Sequence, residues 1–335
     1  MSKTFTLQKT KDPDLMKVVD RNQDWTHYYV PKKKRFLRAV NMILQSGFAK
    51  DRRFMDYLLR STKDEAEKKL KTAGERGDHI HQAIAELLKN PGKWKRSEIK
   101  VYDQDTEEYI GLNDSEWQAI LAFSNFWNRH MPRVAMSELA CYSLEHGYAG
   151  TLDAVWKFRK KCDNKSCNCS RMIGKWGIVD FKSGGAIYPE YAAQEAAYAN
   201  AESIEKPLRK KRAWPLEYTM TLRIGTKHRC GWESDIHGIG DTHEAFRQFK
   251  AAITVSDATY EPFTMANIED IPDVVVLGLA FKPEKKRKSA RKTASKPAAM
   301  RRPRFHRHQL LRFPSRSPYS NQSQQSREGV ETKWD

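Results

Sequence analysis

Apolar residues recur at helical spacing in the first part of the chain. Two groups follow the 3.6-residue period: Leu37, Val40, Ile43 and Leu44, then Phe54, Tyr57 and Leu58. Further helices are predicted over about 77–88, before a Pro-Gly stop at Pro91, and over about 117–128, before Pro132. The pattern therefore predicts a helical N-terminal region over residues 1–70.

After Pro132 the apolar period becomes strand-like. Extended segments are predicted at about 134–144, 150–158 and 176–182, a helix at 189–201, strands at 216–224 and 230–236, and a helix at 242–253. Asp241 or Thr242 is the expected cap of the last helix. This order of elements predicts one α/β unit with a mixed central β-sheet flanked by helices.

Two acidic residues are expected to converge on neighbouring strands. Asp153 stands near the start of an apolar strand, three residues after Gly150. Side chains alternate along a strand, so Asp180 and Lys182 project from one face and the apolar residues beside them from the other. The carboxylates would form an oxygen-rich site suited to Mg²⁺ or Mn²⁺. Such an ion activates water and stabilises phosphoryl charge, which predicts a phosphodiester substrate.

Three residues on helices are candidates to complete this site. Gln194 and Tyr198 are four residues apart and share one helical face. His81 shares a face with Ile84 and is predicted to point towards the core, whereas His79 falls on a more solvated face. His81 is therefore the better candidate for a further metal ligand, and Lys182 would position the water or neutralise developing charge.

The order of these motifs is a helix with Arg76-Gly77 and His81, then Gly150-x2-Asp153, then Asp180-x-Lys182, then Gln194-x3-Tyr198. It resembles the RecB-like branch of the PD-(D/E)XK nuclease superfamily, which includes recombination nucleases, phage exonucleases and genome-maintenance exonucleases. The resemblance covers about 77–253. It implies a restriction-endonuclease-like core, which we place at residues 71–281.

The resemblance also implies roles for individual residues. The implied catalytic residues are Asp153, Asp180 and Lys182. The implied metal ligands are His81, Asp153, Asp180 and the backbone carbonyl of Phe181, with Mg²⁺ as cofactor and Mn²⁺ as a substitute. Gln194 and Tyr198 are implied on the DNA-binding side. The expected activity is a Mg²⁺-dependent deoxyribonuclease, an exonuclease in DNA recombination, repair or phage DNA metabolism.

Several alternatives stay open from the sequence. Asp180 stands where Glu is common in the family, and its distance from Asp153 is long, although the loop residue Asp163 is a poorer candidate. Glu138 is either a ligand for a second metal ion or an exposed strand residue. Alternative functions are a structure-selective endonuclease such as a junction resolvase, or a catalytically inactive nucleic-acid-binding protein of the same fold.

A cysteine cluster, Cys162-x4-Cys167-x-Cys169, lies between the two strands that carry the acids. Three interpretations are open: incidental thiols on an exposed hairpin, a structural Zn²⁺ site and an iron–sulfur cluster. The fourth zinc ligand would come from Cys141, His228 or Cys230.

The chain is basic, with 60 Lys and Arg against 42 Asp and Glu and a formal charge of +18. The excess is concentrated in residues 282–316, which hold 14 Lys and Arg against the single acid Glu284. Such a segment cannot bury enough apolar surface to offset the entropy of ordering it. We expect a disordered basic tail over 282–335, either an arm that binds nucleic acid by counterion release or a solvated tail without a specific partner.

Compartment and partners follow from the same features. No apolar run approaches the roughly 20 residues that span a bilayer, which predicts no membrane partner. Five cysteines in a chain of this size predict a reducing, cytoplasmic compartment with DNA, or the nucleus in a eukaryotic host, for which Lys285–Lys288 would serve as an address. DNA is the expected partner. With no ATP-binding motif in this sequence, a helicase would be a separate chain, and a recombinase or single-strand-binding protein is a further expected partner.

Overall fold

The computed structural model describes residues 5–10, 12, 14–20, 25–49, 52–162, 167–225, 230–260 and 262–264. The predicted tail over 282–335, the alternative acid Asp163 and the candidate ligand His228 lie outside the described residues. All described residues belong to one unit, Met1–Val275.

The described strands fall into an N-terminal group, a central hairpin and a C-terminal group. They are β1 (Phe5–Lys9), β2 (Met16–Asp20), β3 (Trp25–Val30), β4 (Arg35–Ala39), β5 (Lys100–Asp103), β6 (Glu108–Gly111), β7 (Arg133–Ser143), β8 (Tyr148–Lys157), β9 (Trp176–Lys182), β10 (Tyr218–Ile224) and β11 (Trp232–Gly238).

The described helices lie between groups of these strands and after the last one. They are α1 (Val40–Gly47), α2 (Arg52–Arg60), α3 (Lys63–Lys89), α4 (Asp114–His130), α5 (Pro189–Ala199), α6 (Glu205–Lys210) and α7 (Ile239–Asp257). Local chemistry fixes several ends: capping boxes start α3 at Thr62 and α4 at Asn113, and Pro189 occupies the first turn of α5.

Nine of the described strands form one mixed sheet in the order β1-β2-β3-β4-β8-β9-β10-β11, with β7 paired to β8. The pairs β4·β8 and β9·β10 are parallel, and the other pairs are antiparallel. Strands β5 and β6 form a separate hairpin. The fold is thus α/β with a mixed central sheet, as the sequence predicted.

Helices cover both faces of this sheet. On one face α3 and α4 pack through residues such as Ile84 and Phe123 against Trp156, Val179 and Phe181 of the sheet. On the other face α1, α5 and α7 form a second core with the opposite side chains of the sheet, among them Val155 and Ile178. The strand alternation predicted for β9 is confirmed, because its odd-numbered apolar residues face α3 and α4.

The helical N-terminal region was predicted correctly only in part. Helices α1 and α2 cover Val40–Gly47 and Arg52–Arg60, but most of the described residues before Val40 lie in the four strands β1–β4 and not in α-helix. The apolar set that begins at Leu37 straddles the junction between β4 and α1. In this segment pairing between consecutive strands decides the structure, and Leu15, Val18 and Tyr28 are buried by that pairing.

Other boundaries differ by smaller amounts. Helix α3 extends well before Gly77, to Lys63, and α7 begins at Ile239, with Gly238 in the cap position expected for Asp241 or Thr242. The hairpin of β5 and β6 and the short helix α6 were not predicted. Among the described residues, no helix combines the length and apolar character needed to cross a bilayer.

Candidate functional site

The candidate site lies where strand β8 changes its partner strand. Along one edge β8 pairs with β7 over its whole length. Along the other edge it pairs with β4 only at Tyr148 and Ala149, and with β9 only from Ala154 to Lys157. Residues 150–153 therefore face a fork between β4 and β9, where the ladder is interrupted.

Asp153, which belongs to β8, connects β8 to β9 at this fork. Its Oδ2 atom accepts a 2.6 Å hydrogen bond from the backbone N–H of Phe181, just beyond the last ladder pair of β8 and β9. Its Oδ1 atom lies 3.1 Å from Nδ1 of His81 on α3. The N–H and C=O of one strand residue point to the same side, so the Phe181 carbonyl faces the same fork.

Asp180 and Lys182 form the second half of the site. The Nζ atom of Lys182 lies 2.6 Å from Oδ2 of Asp180 and donates to Oε1 of Gln194 at 3.0 Å. It also lies 4.6 Å from the centroid of the Tyr191 ring. Gln194 in turn donates to the hydroxyl of Tyr198 at 2.9 Å. The ammonium group of Lys182 is thus held by a series of polar contacts that runs from Asp180 through Gln194 to Tyr198.

Gly150 makes room for the end of this chain. A Cβ atom added at Gly150 would lie 2.6 Å from Cε1 of Tyr198, closer than side-chain atoms can approach. The Tyr198 ring is almost completely buried against this strand. The glycine of the Gly-x2-Asp motif is therefore a packing requirement for Tyr198, which the sequence alone did not reveal.

The charged groups shift one another's pKa values. Burial raises the pKa of Asp180 above its ordinary value, and the neighbouring Asp153 adds to the shift, although Lys182 opposes it. Burial also acts to raise the pKa of Asp153, but His81 and Lys182 outweigh it and hold that pKa below its ordinary value. The two carboxyl groups therefore differ in proton affinity.

The two cationic groups respond to these acids. Burial disfavours the charged form of His81, but Asp153 overcomes burial and raises the His81 pKa to about 9. For Lys182, the attraction of Asp180 and Asp153 likewise exceeds the effect of burial and raises its pKa. The site thus concentrates two acids and two bases that are strongly coupled by charge.

The site opens into a cleft of about 910 Å³. Its lining includes the lysines Lys17, Lys89 and Lys100 as well as the aromatic residues Trp94 and Tyr109. Tyr109 is 73% exposed, and Trp94 is half-buried. The cleft therefore offers cationic and aromatic groups beside the acids.

Glu138 lines the same cleft from strand β7. Its neighbours Ser137 and Leu139 pair with Ala154 and Leu152, which places Glu138 opposite Asp153. Glu138 has a left-handed backbone conformation, with φ of 53°, and its side chain is half-buried. It is thus near the acids, and the simple interpretation as an exposed strand residue was wrong.

The structure brings the sequence-predicted residues of this site together: His81, Asp153, Asp180, Phe181, Lys182, Gln194 and Tyr198 all line the cleft.

The expectation that His79 lies on a more solvated face of its helix was wrong. It is 6% exposed, and its Nδ1 atom lies 2.9 Å from Oε1 of the buried Glu116 on α4. His79 faces α4 and β5 and not solvent, since its Nε2 atom also lies 3.4 Å from Oδ2 of Asp103.

Sequence reasoning missed two residues beside the site. Tyr191 on α5 lies under the Lys182 ammonium, at i−3 from Gln194 on the same helix, a spacing that helical periodicity would have identified. Glu195 is completely buried and accepts a hydrogen bond from Thr221 of β10. Burial and the nearby Asp180 raise the pKa of Glu195 well above its ordinary value. No sequence signal marks this glutamate.

The cysteine cluster forms a second group of potential metal ligands. Cys162, Cys167 and Cys169 come together with His130 at the end of α4, and this group could hold a metal ion. Because Cys162 and Cys169 are buried, the expectation that these thiols lie on an exposed hairpin was wrong.

Two of the three residues predicted as the fourth zinc ligand, Cys141 and Cys230, lie in the described part of the chain, and both predictions were wrong. Cys141 lies in β7, outside the group, and is completely buried. Cys230 is outside it too, and its thiol donates to the carbonyl oxygen of Trp232 at 3.2 Å. The fourth member is His130, which has no characteristic spacing from the cysteines in the sequence.

Comparison with known proteins adds no further assignment. A scan of the chain against protein-family models gives no match, and a search of curated proteins gives none either.

Proposed function

We propose that the chain is a metal-dependent deoxyribonuclease that hydrolyses phosphodiester bonds. The observation that supports this proposal is the convergence of Asp153, Asp180 and Lys182 at the strand fork, with His81 3.1 Å from Asp153. Two acids and a lysine from adjacent strands are the groups that metal-assisted phosphodiester hydrolysis requires. Their arrangement agrees with the motif order that resembles the RecB-like PD-(D/E)XK nucleases.

The donor set fits a hard divalent cation. The carboxylates of Asp153 and Asp180 and the Phe181 carbonyl supply oxygen atoms, and His81 would supply an imidazole nitrogen on giving up the proton that Asp153 holds on it in the metal-free site. The depressed pKa of Asp153, which His81 and Lys182 maintain against burial, keeps this carboxyl group ionised at neutral pH. These four residues would hold Mg²⁺ or Mn²⁺. The bound ion would activate water and stabilise negative charge on the phosphate.

Lys182 is the residue that we assign to the reacting phosphate. Its ammonium group is held by Asp180 and Gln194 and stays protonated, because the acids raise its pKa. A fixed cation of this kind can neutralise charge that develops on a phosphoryl oxygen or orient the attacking water. Gln194 and Tyr198 act behind it as positioning residues.

The cleft suits a nucleic-acid strand. Lys17, Lys89 and Lys100 can contact phosphates, and the ring faces of Trp94 and Tyr109 can stack with bases. The preference for DNA ends over internal sites rests on the resemblance to exonucleases.

The test is degradation of end-labelled linear DNA and of a closed circle with Mg²⁺, Mn²⁺ or EDTA. We expect metal-dependent loss of the linear substrate only, reduced at least 100-fold in Lys182→Ala and Asp180→Ala. Lys210→Ala serves as the matched control, because Lys210 is exposed on α6 and does not line the cleft.

Each alternative result contradicts part of the proposal. Cleavage of the closed circle or of four-way junctions would identify an endonuclease. Binding of DNA without cleavage under every metal would overturn the catalytic assignment. Activity retained in Lys182→Ala would overturn the role given to that lysine.

A further inference from the structure

Four ligand atoms converge at the closed end of the β8 and β9 pair, away from the carboxylates. The Sγ atoms of Cys162 and Cys169 are 3.5 Å apart, and Sγ of Cys167 is 3.5 Å from Nε2 of His130. All four ligand atoms lie within 4.8 Å of one another. The group is therefore small enough to surround a single ion.

Two of the six separations between these ligand atoms can be compared with a tetrahedral zinc site. Zinc binds sulfur at about 2.3 Å and imidazole nitrogen at about 2.0 Å, so tetrahedral geometry requires about 3.8 Å between two sulfurs and about 3.5 Å between sulfur and nitrogen. The observed 3.5 Å distances agree with both values to within a few tenths of an ångström. A disulfide requires about 2.05 Å between its sulfurs, so Cys162 and Cys169 are thiols.

His130 is oriented as a metal ligand. Its ring is completely buried, and its Nδ1 atom lies 2.9 Å from the backbone carbonyl oxygen of Phe126, one helical turn earlier. Nδ1 must therefore carry the proton and donate it to this bond, which leaves the lone pair of Nε2 directed at Cys167.

The backbone holds the cysteine segment against the end of α4. The N–H groups of Arg159 and Lys160, just after β8, donate to the carbonyl oxygen of His130 at 3.4 and 3.0 Å. These bonds bring the start of the cysteine segment to the last residue of the helix. The histidine and the thiols are thus brought together by the fold and do not depend on a local sequence motif.

We propose that His130, Cys162, Cys167 and Cys169 bind a structural Zn²⁺ ion. Four protein ligands complete a tetrahedral coordination sphere and leave no position for water or substrate, which distinguishes this site from a catalytic one. One imidazole and three thiolates suit zinc better than an iron–sulfur cluster, which takes four cysteines in most proteins. This proposal does not depend on the nuclease activity.

Two of the three thiols are buried, so their thiolates would need a neighbouring cation. Zinc binding would release the thiol protons and compensate the thiolate charge. The ion would then fasten the connection between β8 and β9 to α4.

The experiment is metal analysis of the full chain, purified without chelator from zinc-supplemented medium. We expect about one zinc per chain, lost at least 10-fold in Cys167→Ser and retained in Cys230→Ser. Cys230 is the matched control because it is a half-buried thiol outside the cluster. Replacement of zinc by Co²⁺ should give the d–d absorption bands of a tetrahedral thiolate site.

A second measurement applies to the wild type in case Cys167→Ser does not fold. Titration with a mercurial thiol reagent should release the zinc in step with the modification of three thiols. Zinc released without thiol modification, a folded wild type that contains no zinc and takes up none, or iron with acid-labile sulfide in its place would each overturn the proposal.

Discussion

Replacement of Gly150 by alanine tests whether Tyr198 positions Lys182, the lysine that we propose to be catalytic. The new Cβ atom would lie 2.6 Å from Cε1 of Tyr198, about 0.9 Å short of the roughly 3.5 Å at which carbon atoms pack. The Tyr198 ring is 3% exposed and cannot move into solvent without leaving its core position. The ring or strand β8 must therefore shift.

The shift should reduce both stability and activity. Overpacking of a core site costs about 1–3 kcal/mol, which urea unfolding followed by circular dichroism would measure. Tyr198 reaches Lys182 through Gln194 by two hydrogen bonds of 2.9 and 3.0 Å. Because a displacement of about 1 Å at such a group can lower a rate by about 100-fold, we expect Gly150→Ala to reduce kcat for linear DNA by 10- to 100-fold.

Two controls separate this mechanism from a general effect of adding a methyl group. Gly240→Ala adds a Cβ that meets nothing within 4 Å on helix α7, so stability and activity should be unchanged or slightly higher. In a double-mutant cycle, Gly150→Ala should cost little in a Tyr198→Ala background, because the clash has been removed. Equal costs in both backgrounds, or a fully stable and active Gly150→Ala variant, would refute the reasoning.

Three further predictions concern stability. Burial, aided by Arg38, lowers the pKa of His27 from 6.5 to about 4, so the unfolded chain takes up the proton first as pH falls. Stability should then drop by up to about 3 kcal/mol between pH 6.5 and 4, and His27→Gln should lose this dependence in urea unfolding at each pH. Asn113→Ala removes the cap of α4 and should lower the free energy of unfolding by about 1 kcal/mol, whereas Asn113→Asp should preserve it. The raised pKa of Glu195 means that the free energy of unfolding of the wild type falls as pH rises above 4.5. Glu195→Gln should therefore gain stability relative to the wild type from pH 5 to pH 8. No relative gain would refute a protonated Glu195.

The sequence predicted the C-terminal part of the sheet because its signals are local. The apolar run of β9 was placed at Trp176–Lys182, as the structure has it, and the helix that begins at Pro189 was placed within two residues. These elements are buried on a regular face, so periodicity and turn residues are sufficient. Strands β1–β4 were not predicted because they are stabilised mainly by pairing with one another, and pairing between strands leaves a weaker periodic signal than a helix packed on a core.

The candidate carboxylate site was predictable because its residues follow one another in a fixed order along adjacent elements. Asp180 and Lys182 were placed by strand alternation, Asp153 by its position after Gly150 in an apolar strand, and Gln194 and Tyr198 by helical spacing. His130 could not be found in this way. It joins the cysteines only because the chain after β8 returns to the end of α4, which is a property of the tertiary fold.

The two candidate metal sites lie at opposite ends of the same strand pair, and this explains how the second can support the first. Only four residue pairs, from Ala154↔Val179 to Lys157↔Trp176, join β8 to β9. A slip of one residue would turn Asp180 to the opposite face of the sheet. The strands are joined by a long connection and not by a two-residue hairpin turn, and beside the ladder its Gly174 N–H donates to the carbonyl oxygen of Phe158 at 3.0 Å. A zinc ion that fastens this connection to α4 would fix the register at the closed end, and Asp153, through its bond to the Phe181 N–H, fixes it at the open end.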